Sequence, residues 1–122
     1  MAIRAIRGAT QIERDGAAEM QEAVVELVSE MLRANALTSD NLVSIIFTAT
    51  PDIVSDFPAA SARAMGLGDT PLLCAVEIAV PGSLPRTIRA LMHCESERSK
   101  KQISHIYLRG TTVLRKIGRA HV

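Results

Sequence analysis

Between Pro71 and Val80 the sequence PLLCAVEIAV carries a single charge, Glu77. A run this apolar reads as a buried strand, and a carboxylate inside one is costly unless it is paired or hydrogen-bonded. Whatever this chain folds into must bring a cation or a set of donors to Glu77. A supply lies just downstream. After the turn signal Pro81-Gly82-Ser83, the segment LPRTIRALMH places Arg86, Arg89 and His93 at i, i+3 and i+7. That spacing predicts a helix with a basic face, with Ser83 as N-cap and Leu84, Ile88, Leu91 and Met92 as its buried stripe.

The other segments fall on either side of this one. Residues 2–12, AIRAIRGATQI, predict a strand, with Ile3, Ala5, Arg7 and Ala9 on one face and Arg4, Ile6 and Gly8 on the other. Asp15 suits an N-cap for an amphipathic helix ending near Asn35, in which Met20, Val24, Leu27, Val28 and Met31 recur at helical spacing. Leu42 to Thr50 is rich in β-branched residues and predicts a buried strand. Phe57-Pro58 opens a short helix that carries Arg63 and stops at Gly66. Two more strands are expected, Ile103–Arg109 and Thr111–Arg115, joined as an antiparallel hairpin. The order predicts an α+β single domain: a mixed five-stranded sheet covered by helices, spanning residues 1–115, followed by a flexible tail at 116–122.

Composition narrows the function. The net charge is +1 and only Phe47, Phe57 and Tyr107 are aromatic, which argues against a nucleic-acid surface. The N-terminus has no apolar signal-peptide core and no apolar run is long enough to span a bilayer, so the cytoplasm is the expected compartment. Cys74 and Cys94 form no Cys-x-x-Cys motif, and the histidines have no zinc-type spacing. Residues of the AVILMFWYC set make up 48% of the chain. A domain this small has limited interior, so part of that surface is expected between subunits.

Four groups then stand out: Arg7, Glu77, Arg89 and Tyr107. Two guanidiniums and a phenol suit a small polyanionic ligand, since arginine binds carboxylates through a fixed fork. The set contains no acid–base pair, no activated nucleophile and no metal cluster. Cys74 lies in apolar surroundings that favour the inert thiol. Glu77 reads equally as a structural ion pair or as a ligand-facing acceptor.

Taken together, IRAIRGATQIERD, FTATPDIVSDFPAASAR, CAVEIAVPGSLPRTIR and HIYLRGTTVLR resemble the small monofunctional chorismate mutases of the trimeric α/β-barrel-like class, as distinct from the all-helical class. The resemblance runs from about Ile3 to Arg115. It implies a homotrimeric pseudo-α/β-barrel that converts chorismate to prephenate for phenylalanine and tyrosine synthesis, with no cofactor and no metal. It assigns Arg89 to the breaking ether oxygen, and Glu77 to the ring hydroxyl and the incipient ring cation. Arg7 and Tyr107 would hold the side-chain carboxylate, and Cys74 would line the wall near Glu77. Phe57, Ala59 and Arg63 would come from the neighbouring subunit, and Leu114 and Arg115 would lead into a mobile tail. Position 60 is alanine where some relatives carry lysine. The competing reading is a non-catalytic trimeric module that binds a small dicarboxylate.

Overall fold

Ten consecutive residues pair across the centre of the sheet, and that pairing sets the architecture. The computed structural model describes residues 1–114. Strand β1 (Ala2–Gln11) runs antiparallel to β4 (Thr87–Ser96) from Ala2↔Ser96 to Gln11↔Thr87. On the other side of β4 lies β2 (Leu42–Ala49), also antiparallel, and β2 pairs in parallel with β3 (Leu72–Val76). The two-residue β5 (Ile106–Tyr107) adds in parallel to the outer edge of β1. The result is one mixed five-stranded sheet in the order β3-β2-β4-β1-β5.

Helices α1 (Ala17–Ala34) and α2 (Pro58–Ala64) complete the core. The α1 residues Met20, Ala23, Val24, Leu27, Val28 and Met31 are buried, as their spacing predicts. Beneath them the sheet contributes Ile6, Ile45, Phe47, Ile88 and Met92, all fully buried. Gly8 marks how closely α1 sits on β1. A Cβ there would lie 3.1 Å from Leu27 Cδ1 and closer still to the Met31 sulfur. Among the described residues, neither α1 nor α2 covers the opposite face of the sheet, which leaves Ile3 and Leu73 exposed.

Several expectations are corrected. Residues 87–96 form a central strand, not a helix. Ile88, Ala90, Met92 and Cys94 alternate into the core, while Arg89 faces outward. Three basic residues at i, i+3 and i+7 fit a helix, but the period of two in the apolar residues decides the matter, because two long strands wait on either side. The strand around Glu77 is shorter than Pro71–Val80. It ends at Val76, although the Glu77 N–H still donates to the Ala49 carbonyl at 2.9 Å. The C-terminal hairpin is not formed. Leu108 N–H donates to Ala9 O, then Arg109 at φ +55° turns the chain into a 3-10 turn (Arg109–Thr111) and ends the pairing. Asp15 does not cap α1, where Gly16 holds the N-cap position. Its carboxylate instead accepts the Val54 and Ser55 N–H groups. Arg115 and the tail at 116–122 lie outside the described residues. None of the described helices is long and apolar enough to cross a membrane.

Candidate active site

The helix-free face carries the chemistry. The register places one row of residues across the sheet: Ala75 opposite Thr48, Thr48 opposite Arg89, Arg89 opposite Ala9, and Ala9 opposite Tyr107. Glu77 follows two residues after Ala75, so it emerges on the same face. Arg7 precedes Ala9 by two and does the same. In the middle of the row Ala9 has only a methyl group, which leaves a hollow between longer side chains.

That hollow is a cavity of about 270 Å³, lined by Arg7, Ala9, Ile46, Thr48, Glu77, Arg89, Leu91 and Tyr107 along with the backbone positions Gly8 and Ala90. All four residues singled out from the sequence line it. Arg89 reaches it from β4 and not from a helix, which is why its guanidinium lies beside β2 and β3. Arg89 Nε is 3.1 Å from Glu77 Oε1, and the same oxygen accepts a hydrogen bond from Thr48 Oγ1. The Glu77 side chain is 21% exposed and that of Arg89 is 47% exposed, so the pair sits at the wall of an open site and not within the core.

The pairing uses only the Nε edge of Arg89. Among the described residues, the terminal nitrogens of Arg89, the Arg7 guanidinium and the Tyr107 hydroxyl make no hydrogen bond. The site therefore presents two cationic forks, one phenol and one carboxylate to whatever enters. Its formal charge of +1 suits an anion that also carries a hydroxyl or a cationic region for Glu77. Among the described residues, no group of three or more His, Cys, Asp or Glu side chains is arranged to hold a metal ion.

Thr48 was not singled out from the sequence. Its signal lies in LVSIIFTAT, where Ser44 and Thr48, four residues apart and so on one face, interrupt an otherwise apolar strand. Ile46 and Leu91 are further apolar walls, readable only once the register is known.

The remaining candidates lie elsewhere on the chain. Cys74 is on the opposite face of β3 from Glu77, which corrects its placement beside that carboxylate. Its sulfur accepts the Ala59 N–H at 3.4 Å and so ties β3 to the first turn of α2. With Phe57, Pro58, Val54 and Val76 it lines a separate cavity of about 550 Å³. Phe57 is 67% exposed, Ala59 is buried and Arg63 is exposed in the last turn of α2. Leu114 is partly buried and lines neither cavity. Burial raises the pKa of the other thiol, Cys94, which packs into the core beneath α1.

Residues 3–117 match the family described as chorismate mutase type I. The chain belongs to the type I chorismate mutase family. Similar curated members are the chorismate mutase AroH of Thermus thermophilus and that of Bacillus subtilis. The first is 43% identical over 114 residues, covering 93% of each chain. The second is 35% identical over 116 residues, covering 94% of this chain and 91% of that one. Among solved structures, a chorismate mutase from Clostridium thermocellum superposes with a TM-score of 0.88 at 45% identity, covering 90% of this chain and 98% of that one.

Proposed function

We propose that this chain catalyses the unimolecular rearrangement of chorismate to prephenate, in the cavity between Arg7, Glu77, Arg89 and Tyr107. The observation that carries this reading is the Glu77–Arg89 pair. A receptor for a dicarboxylate gains nothing from a carboxylate in its own pocket. A site matched to a charge-separated transition state uses both signs.

The reaction needs no proton transfer and no covalent intermediate, so positioning and fixed charge supply the catalysis. Arg7 and Tyr107 would bind the side-chain carboxylate at the β1–β5 end of the row. Held by Glu77 at Nε, Arg89 would present its terminal nitrogens to the ether oxygen as negative charge develops there. Glu77, steadied by Thr48, would accept the ring hydroxyl and balance the incipient positive charge on the ring.

The site is completed, on this reading, by a second copy of the chain within a homotrimer. A volume of about 270 Å³ lies just below the usual range of ligand cavities, roughly 300–1,000 Å³. The wall it lacks is consistent with an interfacial site, and the exposed Ile3 and Leu73 on the same face suit subunit contact. Phe57, Ala59 and Arg63 on the neighbour would then close the pocket. Leu114 and Arg115 would approach it where the chain leaves the fold. The cytoplasm is the proposed compartment.

Spectroscopic loss of chorismate with the purified chain, with and without a chelator, tests the activity. Prephenate should form equally in both. Its absence would overturn the function, and a requirement for metal would overturn the mechanism. Equilibrium sedimentation should give about 39 kDa for three 13.1-kDa chains. A fully active monomer would exclude the interfacial site.

A further inference from the structure

Arg7 is held by an unusual partner. The β1 backbone groups that face β5 bond regularly at Ala9, whose carbonyl accepts Leu108 N–H at 2.9 Å and Thr111 Oγ1 at 3.1 Å. One step earlier, at Arg7, the acceptor for the N–H is not a carbonyl. It is His105 Nδ1, at 2.9 Å. The ring thus extends a two-residue edge strand by one bond, just where Arg7 and Tyr107 enter the cavity.

His105 is itself fixed from behind. Its neighbour Ser104 makes a reciprocal pair with the buried Asn35 at the C-terminal end of α1. Ser104 N–H donates to Asn35 Oδ1 at 2.8 Å, and Asn35 Nδ2 donates to Ser104 O at 2.9 Å and to Met31 O at 2.8 Å. Arg98 Nη1 adds a bond to Ala34 O at 2.8 Å. Hydrogen bonds from the end of α1 thus fix residue 104, and the covalent backbone carries that anchoring to His105, whose ring accepts the N–H of Arg7.

We propose that His105 is a positioning residue for substrate binding: as a neutral ring with Nδ1 unprotonated, it fixes the backbone of Arg7 and docks the strand that carries Tyr107. This rests on the reading of Arg7 as a carboxylate ligand. A protonated ring carries a hydrogen on both nitrogens, so Nδ1 would oppose the Arg7 N–H as a second donor. The surroundings add to that repulsion. Arg4 and Arg7 come from β1, His93 from β4, and Lys100 from the turn Lys100–Gln102; Arg4, His93, Lys100 and His105 line one cavity. Glu95 is the acidic group on the β4 segment nearby, opposite Ile3. Protonation of His105 thus loosens Arg7 without touching Arg89 or Glu77, and the effect belongs to binding and not to turnover.

The test is steady-state kinetics of chorismate loss for the parent, His105→Ala, His105→Asn, His93→Asn and Arg7→Ala, each across pH. Losing one hydrogen bond at His105→Ala should raise KM about tenfold with kcat changed less than about threefold. An asparagine amide oxygen can stand where Nδ1 stands, so His105→Asn should keep KM within about twofold of the parent. The parent's kcat/KM should fall on the acid side, through KM, as the ring takes up a second proton. That fall should vanish in His105→Asn and persist in His93→Asn. The proposal is overturned if His105→Asn keeps the acidic fall, or is as impaired as His105→Ala. It is also overturned if His105→Ala binds normally while Arg7→Ala does not. An unchanged KM in Arg7→Ala would instead remove the reading of Arg7 beneath it. Should His105→Ala fail to fold, the pH profile of His105→Asn decides alone.

Discussion

Replacing Arg89 by lysine tests the electrostatic argument at its centre. Arg89 Nε faces Glu77 Oε1 at 3.1 Å, while its two terminal nitrogens have no hydrogen-bond partner among the described residues. The guanidinium can therefore keep its bond to Glu77 and still offer a fork to the ligand. A lysine ammonium is one point charge on a flexible stem, and it must choose between them. At 3.1 Å and an effective dielectric of about 20, the attraction to Glu77 is about 5 kcal/mol before solvation and screening are discounted. An ammonium is drawn to that carboxylate and away from the ether oxygen. The missing donor acts only as charge develops, so the loss should fall on kcat. Removing one such transition-state donor costs about 3–4 kcal/mol, or about 10²–10³ in rate. The ground-state ether oxygen is neutral, so KM should move less than about fivefold. The assay is kcat and KM from chorismate absorbance, with Arg63→Ala measured alongside and expected to lose less than about tenfold in kcat. A lysine variant within tenfold of the parent, or no worse than Arg63→Ala, would refute the role given to this cation.

Thr48→Val removes the hydroxyl that donates to Glu77, and should lower kcat/KM about tenfold while leaving the thermal midpoint almost unchanged. Gly8→Ala pushes a methyl group against Leu27 and Met31. Its cost of about 1–3 kcal/mol should appear as a thermal midpoint several degrees lower in calorimetry. Asp15 has its pKa lowered, chiefly by the Ser55 side-chain hydrogen bond and then by the Val54 N–H. A lowered folded-state pKa contributes stability above the unfolded value and loses it as pH falls through the folded one. Asp15→Ala should therefore melt below the parent at neutral pH, and the gap should close as acid titration passes below about pH 4. A gap independent of pH would mean that Asp15 acts through packing alone.

α1 and β2 were legible in the sequence from their apolar patterns, and α2 from the Pro58 and Gly66 that bound it. Met20 to Met31 repeats at helical spacing and is buried accordingly, and Leu42–Ala49 is β-branched. The segment at Arg86 to His93 misled because its charges satisfy a helical period while its apolar residues satisfy a strand. Only the long partners β1 and β2 decide between the two, and these are distant in sequence. The C-terminal hairpin failed for a similar reason: β5 pairs back to Ala9 and not forward to Thr111. That Arg7, Glu77, Arg89 and Tyr107 would stand out was legible from chemistry alone, since each is a charged or phenolic group in apolar company; that they line one cavity was not, because the register brings them together. Thr48 was hidden because a threonine in a strand is ordinary until its neighbour across the ladder is known. The resemblance implies that Cys74 lines the wall near Glu77, but strand parity turns its side chain to the opposite face of β3.

The row Ala75–Thr48–Arg89–Ala9–Tyr107 takes one residue from each of the five strands. No single hairpin or helix contains the site, so no folding intermediate that lacks a strand can possess it. A slip of one residue in any strand would exchange its contribution for a side chain meant to lie under α1. Turnover is then an assay of sheet register as well as of chemistry, and its recovery during refolding should mark the moment at which all five strands have found their partners.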